Sequence, residues 1–191
     1  MADFGIVKRN SQGIFITPAE SELFDKGVLF LTGEISEDSA EKFCKQMLLI
    51  KKDAPVTLVI NSPGGEIGAG LSIISTIKEA PVKVNTYCLS RCYSMAAVIF
   101  SCGTGERMMS PYSKLMFHEP LVSGRGISSL SQVEDDARLL SEKKEIFVSL
   151  LSERTGMERK KIRQIIGKDR YFDEGEAKRW NLSDKTGVFF A

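Results

Sequence analysis

The chain has 191 residues, of which 42% are hydrophobic and 27% are charged, a composition typical of a soluble globular protein with one sizeable core. Its 26 basic and 25 acidic residues leave a net charge of +1, so the charge gives no support to a nucleic-acid partner. No apolar run approaches the roughly 18 residues needed to cross a bilayer, which argues against a membrane protein.

The first 26 residues form an arm without a clear pattern. Gly, Ser, Asn and Pro are scattered among apolar residues, and the one short apolar run is IFI at residues 14–16. This arm could order against a partner, and we place a single domain at residues 27–191. Because the amino terminus lacks the charged-then-apolar order of a signal peptide, a cytoplasmic location is expected.

Strand and helix signals alternate from residue 27 onwards. A strand bounded by glycines is predicted over residues 27–33, and Ser36 is a candidate cap for the helix that follows. The uncharged run VTLVI at residues 56–60 predicts a buried strand, which ends in a tight turn, NSPGG, at residues 61–65. Another helical pattern comes next. Such repeated units indicate an α/β fold with a mainly parallel sheet and right-handed crossovers.

The next strand signal leads directly to a serine. Residues 82–88 predict a strand, and Ser94 then begins a probable helix. A helix start supplies free backbone N–H groups and a positive dipole end, both suited to stabilising an oxyanion. His118, the one histidine of the chain, follows an apolar run at residues 114–117. If Ser94 has an imidazole base, that base must be His118.

Each of these features also has an ordinary structural interpretation. A serine at a helix start is most often a cap, and a lone histidine after an apolar strand is more often a core or interface residue. A nucleophile, a base and a glycine turn that all fall at strand ends are more informative together, because such chemistry is usually built there.

The remaining elements lead to one long helix. A turn at residues 103–105 and a short strand at residues 107–109 precede His118. Beyond it, apolar residues recur on one face of a charged helix that is predicted to end at Thr155 and Gly156. This helix could be an ordinary packed helix. A basic helix from Glu158 follows.

The four cysteines are interpreted as reduced core residues. They have no paired metal-ligand spacing, and three of them fall in apolar strand or helix positions. We therefore expect no metal and no cofactor. The four are Cys44, Cys88, Cys92 and Cys102.

Three segments together resemble the family of Clp protease proteolytic subunits, whose members are self-compartmentalised serine peptidases. They are NSPGG at residues 61–65, Ser94-Met95 at a strand-to-helix step, and MFHEP at residues 116–120, and the similarity runs from about residue 27 to about residue 185. The resemblance implies a ClpP/crotonase-like fold, with a repeated strand-strand-helix core. It also implies a protruding handle region at about residues 121–155 that interlocks two rings of subunits.

The resemblance also implies the site residues. Ser94 would be the nucleophile, His118 the general base, and the backbone N–H groups of Gly65 and Met95 the oxyanion hole. Counting forward from the end of the long helix places the third catalytic residue at Asp169, which the sequence alone would make a surface turn residue. The sequence around the nucleophile also lacks the GxSxG motif of α/β-hydrolases.

Several positions depart from the family pattern. Residues 90–93 are bulkier than the small residues usual before the nucleophile, and Ala96 replaces a usual glycine. Glu119 stands where glutamine is usual and puts a carboxylate beside His118. Residues 167–168 replace an Asp-Arg pair that in the family links ring contacts to the active site.

The resemblance finally implies partners. We expect a homo-oligomer of seven-membered rings stacked as a tetradecamer, and an AAA+ unfoldase that feeds unfolded proteins and peptides to it. In the family the amino-terminal segment lines the axial pore and contacts this unfoldase, although residues 1–26 do not visibly match the family pattern. The motif GxxxxGK[ST] is absent, so ATP would be used by the partner alone. The alternatives are a catalytically silent ring subunit and a crotonase-like acyl-CoA-binding enzyme.

Overall fold

The computed structural model describes residues 5–11, 13–50, 54–121 and 129–189, and these contain nine strands and seven helices. The strands are β1 (Gly5–Asn10), β2 (Gly13–Pro18), β3 (Val28–Ile35), β4 (Val56–Gly65), β5 (Val84–Tyr93), β6 (Arg107–Met109), β7 (Lys114–Phe117), β8 (Arg170–Phe172) and β9 (Lys185–Thr186). The helices are α1 (Ala19–Asp25), α2 (Glu37–Leu48), α3 (Ile67–Glu79), α4 (Met95–Ser101), α5 (Leu130–Thr155), α6 (Arg159–Ile166) and α7 (Glu174–Arg179).

One mostly parallel sheet carries the domain and confirms the predicted α/β fold class. Strands β3, β4, β5, β6 and β9 lie side by side and are parallel to their neighbours. Strand β7 also runs parallel to β5, and β8 pairs antiparallel with β7. Because β6 pairs with the first half of β5 and β7 with its last residues, the end of β5 is flanked by β4 and β7.

The central strands are apolar because both faces of the sheet are covered. Leu58, Val59 and Ile60 are consecutive in β4, and each has at most 1% of its surface exposed. Strands of parallel sheets that are buried on both faces have continuous apolar runs rather than alternating ones. The predicted buried strand at residues 56–60 is therefore confirmed.

Helix α2 begins where the sequence predicts. The Ser36 hydroxyl accepts a hydrogen bond from the Ser39 N–H, and the Ser39 side chain bonds the Ser36 N–H in return, which makes a capping box. The helix ends at Leu48, so Ile50 lies beyond it, although it still packs against the core. The helical pattern of the sequence continues to residues 51–53, which lie outside the described residues.

The predicted turn at residues 61–65 is a continuation of strand β4. Gly64 pairs with Glu34 and Gly65 with Ile35, after an irregularity in the ladder. The two glycines have φ values of 99° and 150°, which side chains rarely allow. At Gly65 a Cβ atom would lie 2.1 Å from the Ile35 carbonyl oxygen. Pro-Gly-Gly therefore ends the apolar run but not the strand pairing.

The amino-terminal arm contains more regular structure than its composition suggests. Strands β1 and β2 form an antiparallel hairpin that is separate from the main sheet, and α1 follows. Apolar side chains are exposed along β1 and β2, among them Val7 at 68% and Ile16 at 70%. Two-stranded sheets are only marginally stable alone, so this hairpin has the features expected of a segment that packs against a partner.

The long helix predicted before Thr155 is α5, and its two halves differ in burial. Near its start, Leu130 is 75% and Val133 is 54% exposed, whereas Phe147 and Leu151 are buried against the domain. Residues 122–128, which belong to the predicted handle region, lie outside the described residues. Neither α5 nor another helix of the described ranges is apolar enough to cross a membrane.

A buried arginine holds the carboxyl-terminal segment against β6. The Arg107 side chain is 1% exposed and contacts Asp184 through Nε and Nη2, at 3.0 and 2.6 Å, and the Asn181 carbonyl at 2.8 Å. Burial by itself raises the pKa of Asp184, but hydrogen bonds from Arg107 outweigh it and lower that pKa below its ordinary value. The carboxylate therefore stabilises the fold.

Asp184→Ala is expected to destabilise the protein by about 3 to 5 kcal/mol, because it leaves the buried guanidinium without its counter-ion. Glu106→Ala is the matched control: it removes an exposed ion pair with Lys185 and should cost less than about 1 kcal/mol. Chemical denaturation at neutral pH measures both.

The contribution of Asp184 should also depend on pH. Because the folded pKa of Asp184 is lowered, its contribution is lost as the pH falls below about 4, and the difference in unfolding free energy between wild type and Asp184→Ala should narrow there. Equal stability of the two variants at neutral pH would contradict this role.

Candidate active site

Ser94 lies between β5 and α4 with an unusual backbone conformation. Its φ is 55° and its ψ is −125°, which falls outside even the small left-handed helical region. Its N–H donates to the Met116 carbonyl at 2.8 Å, and its carbonyl accepts from Ala97 N–H at 3.0 Å. Non-glycine residues in such conformations are costly and cluster at functional sites. This outlier therefore singles out Ser94.

The structure brings Ser94 and His118 together. The parallel register of β5 and β7 pairs Tyr93 with Met116, so Ser94 and His118 leave neighbouring strands at the same edge. The Ser94 Oγ lies 2.7 Å from the His118 Nε2. A serine hydroxyl hydrogen-bonded to an imidazole is the arrangement in which the imidazole can accept the proton as the oxygen attacks.

Gly64 packs directly against the serine. A Cβ atom at Gly64 would lie 2.7 Å from the Ser94 Cβ and 2.7 Å from the Tyr93 carbonyl oxygen. The N–H of Gly64 donates to the hydroxyl of Ser62, which is fully buried, at 3.0 Å. Sequence reasoning missed both Ser62 and Gly64, although both belong to the NSPGG motif.

Gly65 and Met95, whose N–H groups are predicted to form the oxyanion hole, end β4 and begin α4. The Glu66 N–H donates to the Ile35 carbonyl at 2.9 Å. Hydrogen bonds of a parallel strand alternate between its two sides, so the Gly65 N–H points away from β3 and toward the side of β5 and α4. Met95 is the first residue of α4, where an N–H has no acceptor within the helix. The two donors could share one oxyanion.

Asp169 lies beside the histidine without bonding to it. It precedes β8, whose antiparallel register pairs Arg170 with Phe117, the residue before His118. Among the described residues, however, the exposed Asp169 carboxylate makes neither a hydrogen bond nor an ion pair. The backbone thus brings the third predicted residue near His118, but its side chain does not complete a triad.

Two of the departures from the family pattern have clear surroundings. The Glu119 carboxylate forms an ion pair with Lys144 of α5, so the residue after His118 is tied to the long helix. Tyr93 packs edge-to-face on Tyr171, with ring centroids 5.6 Å apart, while Ser90 is exposed. The added bulk at Tyr93 is thus directed toward β8.

The cysteines have the surroundings expected of core residues. All four are free, and Cys88, Cys92 and Cys102 are buried. Burial raises the pKa of Cys102 to about 12 and also raises that of Cys92, so both stay protonated at neutral pH. Cys92, although two residues from Ser94, is therefore a poor nucleophile. In the described ranges no three His, Cys, Asp or Glu side chains come together as metal ligands.

The comparison with protein families gives one match, to a model described as Clp protease. It covers residues 12–188, which is most of the 191-residue chain. The match includes every residue of the candidate site and begins within the arm, at the start of the second hairpin strand. It therefore extends the similarity beyond the domain in which the sequence motifs lie.

Proposed function

Because this chain belongs to the Clp protease family, we propose that it is a serine endopeptidase that hydrolyses unfolded proteins and peptides. The observation that carries this proposal is the 2.7 Å contact between the Ser94 Oγ and the His118 Nε2. Membership of the family supports a peptidase, and this contact supports the serine type, because it joins a nucleophile to a base.

The proposed reaction begins at the serine. As the Ser94 Oγ attacks the scissile carbonyl carbon, the His118 Nε2 takes its proton. The carbonyl oxygen becomes an oxyanion, which the N–H groups of Gly65 and Met95 stabilise. One such donor is worth about 3 to 4 kcal/mol of the barrier. Because both donors are backbone groups held by β4 and α4, they need no rearrangement as the charge develops.

The intermediate then collapses to an acyl-enzyme. The carbon–nitrogen bond breaks as His118 returns the proton to the leaving amine, and the acyl group stays on Ser94. A water molecule, deprotonated by His118, attacks the ester and releases the second product. Since Nε2 faces Ser94, the other ring nitrogen, Nδ1, is the atom that Asp169 would hold once its side chain turns toward the ring. The reaction needs neither a metal nor a cofactor.

The direct test is labelling with a fluorophosphonate probe, which reacts with an activated serine. Wild-type protein should label, Ser94→Ala should not, and the size of both assemblies should be the same by sedimentation. A well-assembled wild type that never labels would contradict the proposal. It would favour the silent ring subunit, the alternative to which the unbonded Asp169 lends support.

We further propose that the chain forms seven-membered rings stacked as a tetradecamer, supplied by an ATP-driven unfoldase. The exposed apolar positions Leu130 and Val133 support this arrangement, because they lie on a part of α5 that the domain does not cover. Buried between two rings, these side chains would leave water. The site would then face an internal chamber, and ATP would be used by the unfoldase.

The double variant Leu130→Asp, Val133→Asp is expected to separate the stacked rings, because it places charges where apolar side chains would be buried. Sedimentation should show a particle of about half the wild-type mass. Ser131→Asp is the matched control, since it adds a charge to the same helical turn but away from the line of Leu130 and Val133. A double variant with the wild-type mass would rule out this part of α5 as the ring contact.

A further inference from the structure

Strand β8, which Asp169 precedes, is short. It has three residues, and in the described part of the sheet it pairs with β7 alone, which has four residues and also pairs with β5. Because only three residue pairs join β8 to the sheet, side-chain contacts contribute to its position. On the core side, Phe172 is fully buried and packs edge-to-face on Phe117 and Trp180.

On the opposite side, Tyr171 reaches over β7 to Tyr93. The register pairs Tyr93 of β5 with Met116 of β7, and Met116 with Tyr171 of β8, so the three residues form one row across three strands. The two rings meet above Met116 with centroids 5.6 Å apart and planes at 88°. This edge-to-face geometry is the favourable one for aromatic pairs.

Continuing the alternation of β7 and β8 by one residue puts this row on the same face of the sheet as His118 and Asp169. Side chains alternate between faces along a strand, and His118 lies two residues after Met116. Asp169 lies two residues before Tyr171. Tyr93 also immediately precedes Ser94, so the two rings connect the strand that leads to the nucleophile with the strand that carries the acid.

We propose that Tyr93 and Tyr171 form a clamp across β7 that keeps Asp169 within reach of His118. They are positioning residues, which act through β8 rather than on the substrate. Phe172 fixes the end of β8 that is farther from Asp169, and Tyr171 fixes the strand closer to Asp169. Among the described residues, the Asp169 carboxylate itself makes no hydrogen bond or ion pair. This inference rests on the proposed peptidase function, because it assigns a role within that site.

The clamp acts through the rings and not through the hydroxyl groups. Within the described ranges, neither tyrosine hydroxyl forms a hydrogen bond. Phenylalanine at either position would keep the edge-to-face contact, whereas alanine would remove it. The two kinds of substitution therefore separate the proposed role from hydrogen bonding by the phenol.

The test compares Tyr93→Ala, Tyr171→Ala and their double variant with the two Phe variants, by peptide hydrolysis. Each Ala variant should lower kcat roughly 10- to 100-fold with KM nearly unchanged, because misplacing a group by about 1 Å costs that much. The double variant should lose little more than either single one, since both remove the same contact. The Phe variants should stay within about twofold of wild type.

A spectroscopic measurement tests the clamp independently of turnover. Because His118 is the one histidine, its Nδ1–H gives a single imidazole proton resonance in protein labelled with ¹⁵N-histidine. Once the Asp169 side chain turns toward the ring, as proposed above, its hydrogen bond with Nδ1–H moves this proton downfield and slows its exchange with water. Wild type and the Phe variants should keep this signal, and the Ala variants should lose it.

Three results would overturn the clamp. The first is a rise in KM with kcat intact, which would make the row a substrate-binding surface. The second is an additive loss of activity in the double variant. The third is an unchanged Nδ1–H signal in the Ala variants. Tyr93→Leu and Tyr171→Leu keep apolar bulk without the ring, so they replace any Ala variant that fails to fold. A wild type that does not label with the fluorophosphonate contradicts the peptidase function, whereas a wild type that labels but lacks the Nδ1–H signal contradicts the clamp alone.

Discussion

Ser94→Ala is expected to lower kcat for peptide hydrolysis by about a million-fold, the scale on which other serine triads lose activity without their nucleophile. His118→Ala should lose about as much, because the 2.7 Å contact makes the serine oxygen and the imidazole one catalytic unit. Combining the two should therefore add little. Asp169→Ala should cost less, about 10⁴-fold, because the acid only orients and stabilises the imidazole.

Steady-state hydrolysis of a fluorogenic peptide measures these losses, with assembly confirmed by sedimentation for each variant. Ser90→Ala is the matched control, because Ser90 is an exposed serine of β5, the strand that leads to Ser94, and lies four residues before it. It should retain nearly full activity. Hydrolysis that persists in Ser94→Ala at more than a trace would show that another residue does the chemistry.

Gly64→Ala should lower activity at least 100-fold in a chain that still folds. The new methyl group would lie 2.7 Å from the Ser94 Cβ and 2.7 Å from the Tyr93 carbonyl oxygen. Because this carbonyl belongs to the backbone of a strand in the sheet, the Ser94 side chain is the group that must move. Once the Oγ leaves the imidazole, we expect at least a 100-fold loss of hydrolysis, since about 1 Å of misplacement costs that much.

Gly33→Ala is the control that isolates this collision. Gly33 also has a positive φ, 78°, but a Cβ atom there meets nothing within 4 Å. Both variants therefore carry the conformational cost of an alanine at positive φ, about 1 to 2 kcal/mol. Only Gly64→Ala adds the clash with Ser94. The rate of fluorophosphonate labelling compares them, and equal rates would exclude Gly64 as the support of the nucleophile.

Local chemistry allowed much of the fold to be predicted from the sequence. The uncharged run at residues 56–60 is short, rich in β-branched residues and followed by turn residues, which predicts a buried strand, and Ser36 has a hydroxyl where a helix needs a cap. The juxtaposition of Ser94 and His118 was predicted because each ends a run of strand residues, and parallel strands bring such ends to one edge. These signals lie within a few residues of the features that they predict.

What the sequence did not reveal depends on contacts between distant residues. The continuation of β4 through Gly65 arises from pairing with Ile35, which local turn signals cannot report. The Tyr93–Tyr171 contact requires the register of three strands at once. Asp169 was located only by resemblance, since its surroundings predict a surface turn, and its place near His118 depends on the pairing of β7 with β8.

The backbone conformation of Ser94 lowers the stability of the folded protein, whereas the proposed reaction requires a serine at this position. Glycine adopts positive φ values without steric cost, whereas serine at φ 55° and ψ −125° does not. Selection for thermal stability alone would therefore favour replacing Ser94, the proposed nucleophile, with glycine. A screen of this protein that rewards expression or heat resistance, without an assay for hydrolysis, would be biased toward inert variants.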